Sequence, residues 1–101
     1  MGGHKHARYN LGELAFGDVA AGFTLLATST GDYAGLVILN SLDNPVYLSF
    51  DNSTNHFRLD AGEPLILNLY SLGRSGATGS VYVKRVLAAP TTGSIRATFI
   101  K

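Results

Sequence analysis

The sequence predicts an all-β domain, a single antiparallel β-sandwich of jelly-roll type with about eight short strands. Three observations carry that prediction. Apolar residues recur at every second position in short runs, as in Val46, Leu48 and Phe50 and again in Leu65, Leu67 and Leu69, the pattern of strands with one buried face. Clusters of Gly, Pro, Asn and Asp separate these runs at spacings of about ten residues. No stretch sustains a helical apolar period over three turns.

Residues 1–8 carry His4, Lys5, His6 and Arg8 behind two glycines and show no apolar period, so they read as a flexible basic arm preceding a sandwich over residues 9–101. The first strand is expected from Tyr9 to Phe16, with Gly12 interrupting the alternation as a bulge or bend. A turn at Gly17-Asp18 leads to a threonine-rich strand, Phe23 to Thr28, favoured because branching at Cβ stiffens the side chain in extended backbone. Ser29 to Asp32 reads as a turn cluster. Tyr33 to Asn40 contains Leu36-Val37-Ile38-Leu39, apolar at both parities, which predicts a strand that is central or covered on both sides.

Asp43-Asn44-Pro45 initiates the next turn, since Pro fixes φ and donates nothing to a ladder. The midsection follows: a strand from Val46 to Phe50, a polar loop, a short rung from His56 to Leu59, an Ala61-Gly62-Glu63-Pro64 turn and a strand through Leu69. Leu72 to Gly79 is a glycine-rich loop. Ser80 to Val86 is a strand with Val81 and Val83 opposite Tyr82 and Lys84. After the spacer Ala88 to Gly93, the last strand alternates Ile95, Ala97 and Phe99 with Arg96, Thr98 and Ile100.

Composition narrows the function. At 101 residues the chain supports one core, and charged residues make up only 15%, against roughly 25% in a typical soluble domain. A surface with so few charges is expected to be partly buried against partners. The net charge of +1 points to neither nucleic acid nor membrane. With no cysteine there is no disulfide framework, thiolate metal site or cysteine nucleophile. The longest apolar run, Leu36 to Leu39, falls far short of the roughly 20 residues that span a bilayer. No signal-peptide core precedes the domain, and synthesis in a cytoplasm is the expectation.

Candidate sites are few. With Met1 removed, Gly2-Gly3-His4 offers an amine, two amides and an imidazole in the order that wraps a square-planar Cu²⁺ or Ni²⁺, yet any exposed terminus of this type does so, and no metal site is assigned. His56 lies near Asp51 and Asp60 as a general base would, but no nucleophile stands at a characteristic elbow, so it reads as a hydrogen-bonded structural group. The loop Gly73 to Gly79 lacks the Lys-Ser/Thr of a phosphate loop and precedes a strand, not a helix. Asp51, Asp60 and Glu63 follow no calcium-loop spacing and read as turn-capping residues. Asn52-Ser53-Thr54 has the form of a glycosylation acceptor without a secretory context. Tyr33, Tyr47, Tyr70 and Tyr82 fall on or beside strands, where they cover a sheet, fill a protein interface or stack on a sugar. No catalytic residue and no cofactor-binding residue emerges.

Several segments resemble the small β-sandwich proteins of tailed-bacteriophage virions. They are Leu36 to Asp43, Val46 to Asp51, His56 to Gly62, Val81 to Arg85 and Pro90 to Ser94: a strand ending in Asn, a Ser-Phe-Asp strand, a turn at Ala61-Gly62, an apolar strand and a closing Gly-Ser strand. The resemblance implies a virion structural protein without enzymatic activity, decorating or cementing a capsid as a homo-oligomer, with a trimer favoured, against partners such as the major capsid protein. Completion of the neck or tail, and a carbohydrate- or receptor-binding module using tyrosines beside the Asn52 to His56 loop, are the alternatives, so a glycan stays among the candidate partners. The residues expected to contact partners are His4, Lys5, His6 and Arg8 of the arm, Tyr9, Tyr82 and Ile100. The last strand ends with apolar groups on both faces, which suits it to assembly.

Overall fold

The computed structural model describes residues 9–33, 35–68 and 77–100. Within them the chain forms eight strands: β1 (Tyr9–Ala15), β2 (Thr24–Tyr33), β3 (Gly35–Asn40), β4 (Val46–Ser49), β5 (Phe57–Leu59), β6 (Pro64–Asn68), β7 (Ala77–Arg85) and β8 (Ser94–Ile100). One 3-10 turn, Phe16–Asp18, follows β1 where the sequence predicts a turn. The strands make two four-stranded antiparallel sheets, ordered β1-β8-β3-β6 and β2-β7-β4-β5. The protein is all-β and sandwich-like, as expected.

Alternation explains which side of each sheet is inside. In β8, Ile95, Ala97 and Phe99 are fully buried while Arg96 and Ile100 are exposed. Leu36 and Ile38 of β3 face the same interior, opposite Val46 and Leu48 of β4 and Val81 and Val83 of β7. Each large side chain removed from water in this way contributes roughly 1.5–3 kcal/mol, and the period-2 pattern exists because one face collects that gain.

The structure corrects three details of the strand reading. Ser29 to Asp32 is not a turn: β2 runs on to Tyr33. Its partner β7 likewise begins at Ala77, within the glycine-rich stretch, and the β2–β7 register shifts between Ser29 and Tyr33, so the small residues there form an irregular pairing. Gly12 is not a bulge, because the β1–β8 register passes through the Gly12–Ala97 pair without a shift. A Cβ at Gly12 would overlap the carbonyl oxygen of Leu26 on β2, so glycine is there to let two edge strands meet and close that side of the sandwich. The β-bulge falls in β2 itself, between Leu25 and Ala27, and it leaves both Leu26 and Ala27 buried.

One polar side chain sits at an inward position and ties the sheets together. Asn40, at the end of β3, is fully buried. Its Nδ2 lies 3.2 Å from each of the carbonyl oxygens of Asn44, Leu59 and Asp60, and its Oδ1 accepts from the Leu42 N–H at 3.0 Å. Its backbone also bonds the β5–β6 turn: Gly62 N–H donates to the Asn40 carbonyl at 2.6 Å and Asn40 N–H to the Glu63 carbonyl at 3.1 Å. A buried amide with every partner supplied fixes where the chain crosses from one sheet to the other.

Candidate interaction faces

The midsection loop is built around Asp51. Its Oδ1 accepts from the Ser49 hydroxyl at 2.8 Å and from the backbone N–H groups of Ser53 and Thr54 at 2.9 and 2.8 Å, and its Oδ2 accepts from the Thr54 hydroxyl at 2.8 Å. The Thr54 and Ser53 N–H groups, followed by the Thr54 and Ser49 hydroxyls, hold its carboxyl far below the usual carboxylate range. These bonds wrap the loop tightly enough for Asn52 to adopt φ 67°, a left-handed conformation that Asn tolerates. Asp51 is a turn cap, as expected. Glu63 acts likewise, accepting from the Asp60 N–H at 2.8 Å.

His56 is also a structural group. Its Nδ1 accepts from the Phe50 N–H at 3.0 Å, its own N–H donates to the Leu48 carbonyl at 2.9 Å, and its ring lies 5.5 Å from that of Phe50. The nitrogen that a general base would use is therefore occupied by backbone. Among the described residues no group of three or more His, Asp or Glu side chains is placed to hold a metal ion.

What the sandwich presents to solvent is two broad outer faces. The outer face of β1-β8-β3-β6 carries Leu39, Ile66 and Ile100, at 42%, 71% and 38% exposure, with Val37 and Thr98 half-buried between them. Register lines these groups up across the strands: Thr98, Val37 and Ile66 form one row, and Arg96, Leu39 and Pro64 the next. Glu13, beside Arg96, pairs with it at 3.5 Å and accepts from the Ser94 hydroxyl at 2.9 Å. Glu13, Arg96 and Thr98, with Gly12, line a shallow open depression there.

The outer face of β2-β7-β4-β5 differs in chemistry. Tyr82 and Lys84 of β7 point outward, alternating with the buried Val81 and Val83, and Lys84 is registered opposite Tyr47. The Lys84 ammonium lies 4.6 Å from the Phe23 ring centroid and 5.8 Å from that of Tyr47. Cation–aromatic contacts of this kind are attractive, so ring faces on which a sugar would stack already meet the chain's own cation. Leu25, 48% exposed, and Arg58, paired with Asp60 at 3.2 Å, complete the surface.

Of the expected contact residues, His4, Lys5, His6 and Arg8 lie outside the described residues, as do Gly2-Gly3-His4 and Tyr70. The backbone of Tyr9 opens β1 opposite Ile100. Tyr82 and Ile100 stand on opposite outer faces of the sandwich, so they belong to two different surfaces. Leu39 and Ile66 were not singled out by the sequence reading. Their signal was present in the apolar residues that break alternation, Leu36 to Leu39 and Leu65 to Leu67. Comparison with protein-family models and with curated proteins finds no match for this chain.

Proposed function

We propose that this protein is a non-enzymatic structural component of a bacteriophage virion, a decoration or cement subunit that assembles with copies of itself and packs against other shell proteins. The observation that carries the assembly reading is the outer face of β1-β8-β3-β6, where Leu39, Ile66 and Ile100 remain exposed on a domain whose own core is complete. Apolar groups aligned on one sheet face make a surface suited to a protein partner. Burying it yields about 25 cal/mol per Å², so many modest contacts together would lock a shell.

The strand order supports the finer reading of the fold. With β1-β8-β3-β6 in one sheet and β2-β7-β4-β5 in the other, the chain crosses between sheets at every connection except β4 to β5. Such crossing supports the jelly-roll reading, an architecture used by viral capsid and lectin domains. The virion assignment rests on the resemblance of the midsection segments and on the low charge of the chain.

Sedimentation velocity across a range of concentrations, paired with calorimetric titration of host-surface polysaccharide, tests the proposal. A defined oligomer with no saturable sugar binding is expected. A monomer at every concentration that binds a glycan saturably would replace this reading with that of a carbohydrate-binding module.

A further inference from the structure

We infer that β6 is the assembly edge, and that it pairs antiparallel with β6 of a second copy of this chain across a two-fold axis at Ile66. The inference rests on the self-assembly reading above and goes beyond it by naming the strand, the register and the symmetry.

The two sheets have four edges. β1 and β2 close on each other where Gly12 meets the Leu26 carbonyl. β5 is an edge of only three residues. β6 pairs with β3 alone among the described residues, and its central residue Ile66 is 71% exposed.

The hydrogen-bond phase of β6 follows from its ladder. Asn40 N–H donates to the Glu63 carbonyl, and the β3–β6 register continues through Leu39–Pro64, Ile38–Leu65, Val37–Ile66, Leu36–Leu67 and Gly35–Asn68. Bonded and non-bonded pairs alternate in an antiparallel ladder, so Leu65 and Leu67 bond to β3. The backbone groups of Pro64, Ile66 and Asn68 therefore point to the open side. Proline fits that phase, because the N–H it lacks would have faced away from β3.

This edge is complementary to itself. With a two-fold at Ile66, the Ile66 N–H of each copy donates to the Ile66 carbonyl of the other, and each Asn68 N–H reaches the other copy's Pro64 carbonyl. Pro64 offers no donor in return, so pairing centres on Ile66 and stops at the prolines. Directly opposed residues in an antiparallel pair share a face, so the two Ile66 side chains meet on the outer surface. There they join the Thr98-Val37-Ile66 rows of both copies into one apolar band. The contact is isologous and closes at two copies, unlike the trimer that the virion resemblance implies.

The test uses the full chain and Ile66→Pro, which removes a donor facing the open edge and none bonded to β3. Leu39→Lys, on the same face but away from the edge phase, is the control. Sedimentation of the wild type at twice the 10.7 kDa chain mass is expected, with Ile66→Pro falling to half that value at an unchanged far-ultraviolet spectrum and Leu39→Lys remaining paired. Amide exchange at Ile66 should be protected in the wild type and lose that protection in Ile66→Thr diluted to monomer. A wild-type oligomer that Ile66→Pro leaves intact overturns the β6 edge and spares the self-assembly reading. A wild type that stays monomeric overturns both.

Discussion

Replacing Asn40 by Asp should make the protein's stability relative to wild type rise as pH falls. The change exchanges Nδ2 for an oxygen, and that oxygen then faces the Asn44, Leu59 and Asp60 carbonyls at 3.2 Å with no hydrogen to share. At a fully buried position the carboxyl must be protonated before it can donate to any of them, so its folded pKa lies above the unfolded value of about 3.9. A folded pKa raised in this way makes the variant more stable as pH falls. Holding the side chain protonated at pH 7 costs about 4 kcal/mol, and the penalty shrinks by about 1.4 kcal/mol for each pH unit down to pH 5. For a domain of this size, that corresponds to roughly 5–10 °C in Tm per pH unit, read as variant minus wild type to cancel other titrations. Asn40→Ala separates the hydrogen-bond contribution. It leaves the buried Leu42 N–H without its partner, at about 1–3 kcal/mol, and its deficit should not vary with pH. Thermal unfolding of the three proteins from pH 5 to pH 7 is the assay. A difference between Asn40→Asp and wild type that stays flat over that range, or an Asn40→Ala deficit below about 1 kcal/mol, would refute the account of Asn40 as a fully satisfied link between the sheets.

Two further outcomes follow from backbone and carboxylate geometry. Gly62 and Gly93 both have positive φ, 80° and 88°, but Gly62 faces open space while a Cβ at Gly93 would overlap the Ser41 carbonyl oxygen. Gly62→Ala should lose about 1–2 kcal/mol in urea unfolding, the left-handed penalty alone, and Gly93→Ala distinctly more, because Ser41 and the start of β8 must separate. Asp43, which accepts first from the Thr91 hydroxyl and then from the Thr91 and Thr92 N–H groups, and Asp51 both have carboxyls held below their unfolded values. The stability they contribute is present above about pH 4 and is lost as pH falls through their lower folded values. Wild-type Tm should therefore drop steeply below pH 4, and Asp43→Asn and Asp51→Asn should each flatten that drop while lowering Tm at pH 7.

The strands were legible because burial acts on side-chain parity, and parity is local. Ile95, Ala97 and Phe99 announce an inward face without reference to any partner, and the structure buries all three completely. Pairing is not local. β1 lies beside β8, at the far end of the chain, and no feature of Tyr9 to Ala15 selects Ser94 to Ile100 over another strand. The glycines show the same division. Gly12 is visible as an interruption, but its reason is the Leu26 carbonyl of a neighbouring strand, and the sequence offers only a bulge or a bend. Asn40 stood within reach, since Leu36, Ile38 and Asn40 share one parity and an inward asparagine must find hydrogen bonds.

The apolar residues of the wrong parity bear most directly on function. Leu36 to Leu39 implies a strand central in its sheet or covered on both sides, and β3 is central, between β8 and β6. One of its faces packs on the core, but Leu39 on the other remains 42% exposed, as does Ile66 at 71% on the neighbouring strand. The sequence therefore invests apolar side chains on a face that the described residues of this chain leave uncovered. Singly scattered exposed apolar groups need no explanation, but these are aligned by register into adjacent rows and reach a strand edge that pairs only with β3 among the described residues. Under the proposed assembly, this alignment of side chains at the β6 edge makes β6 the place where mutation should separate assembly from folding.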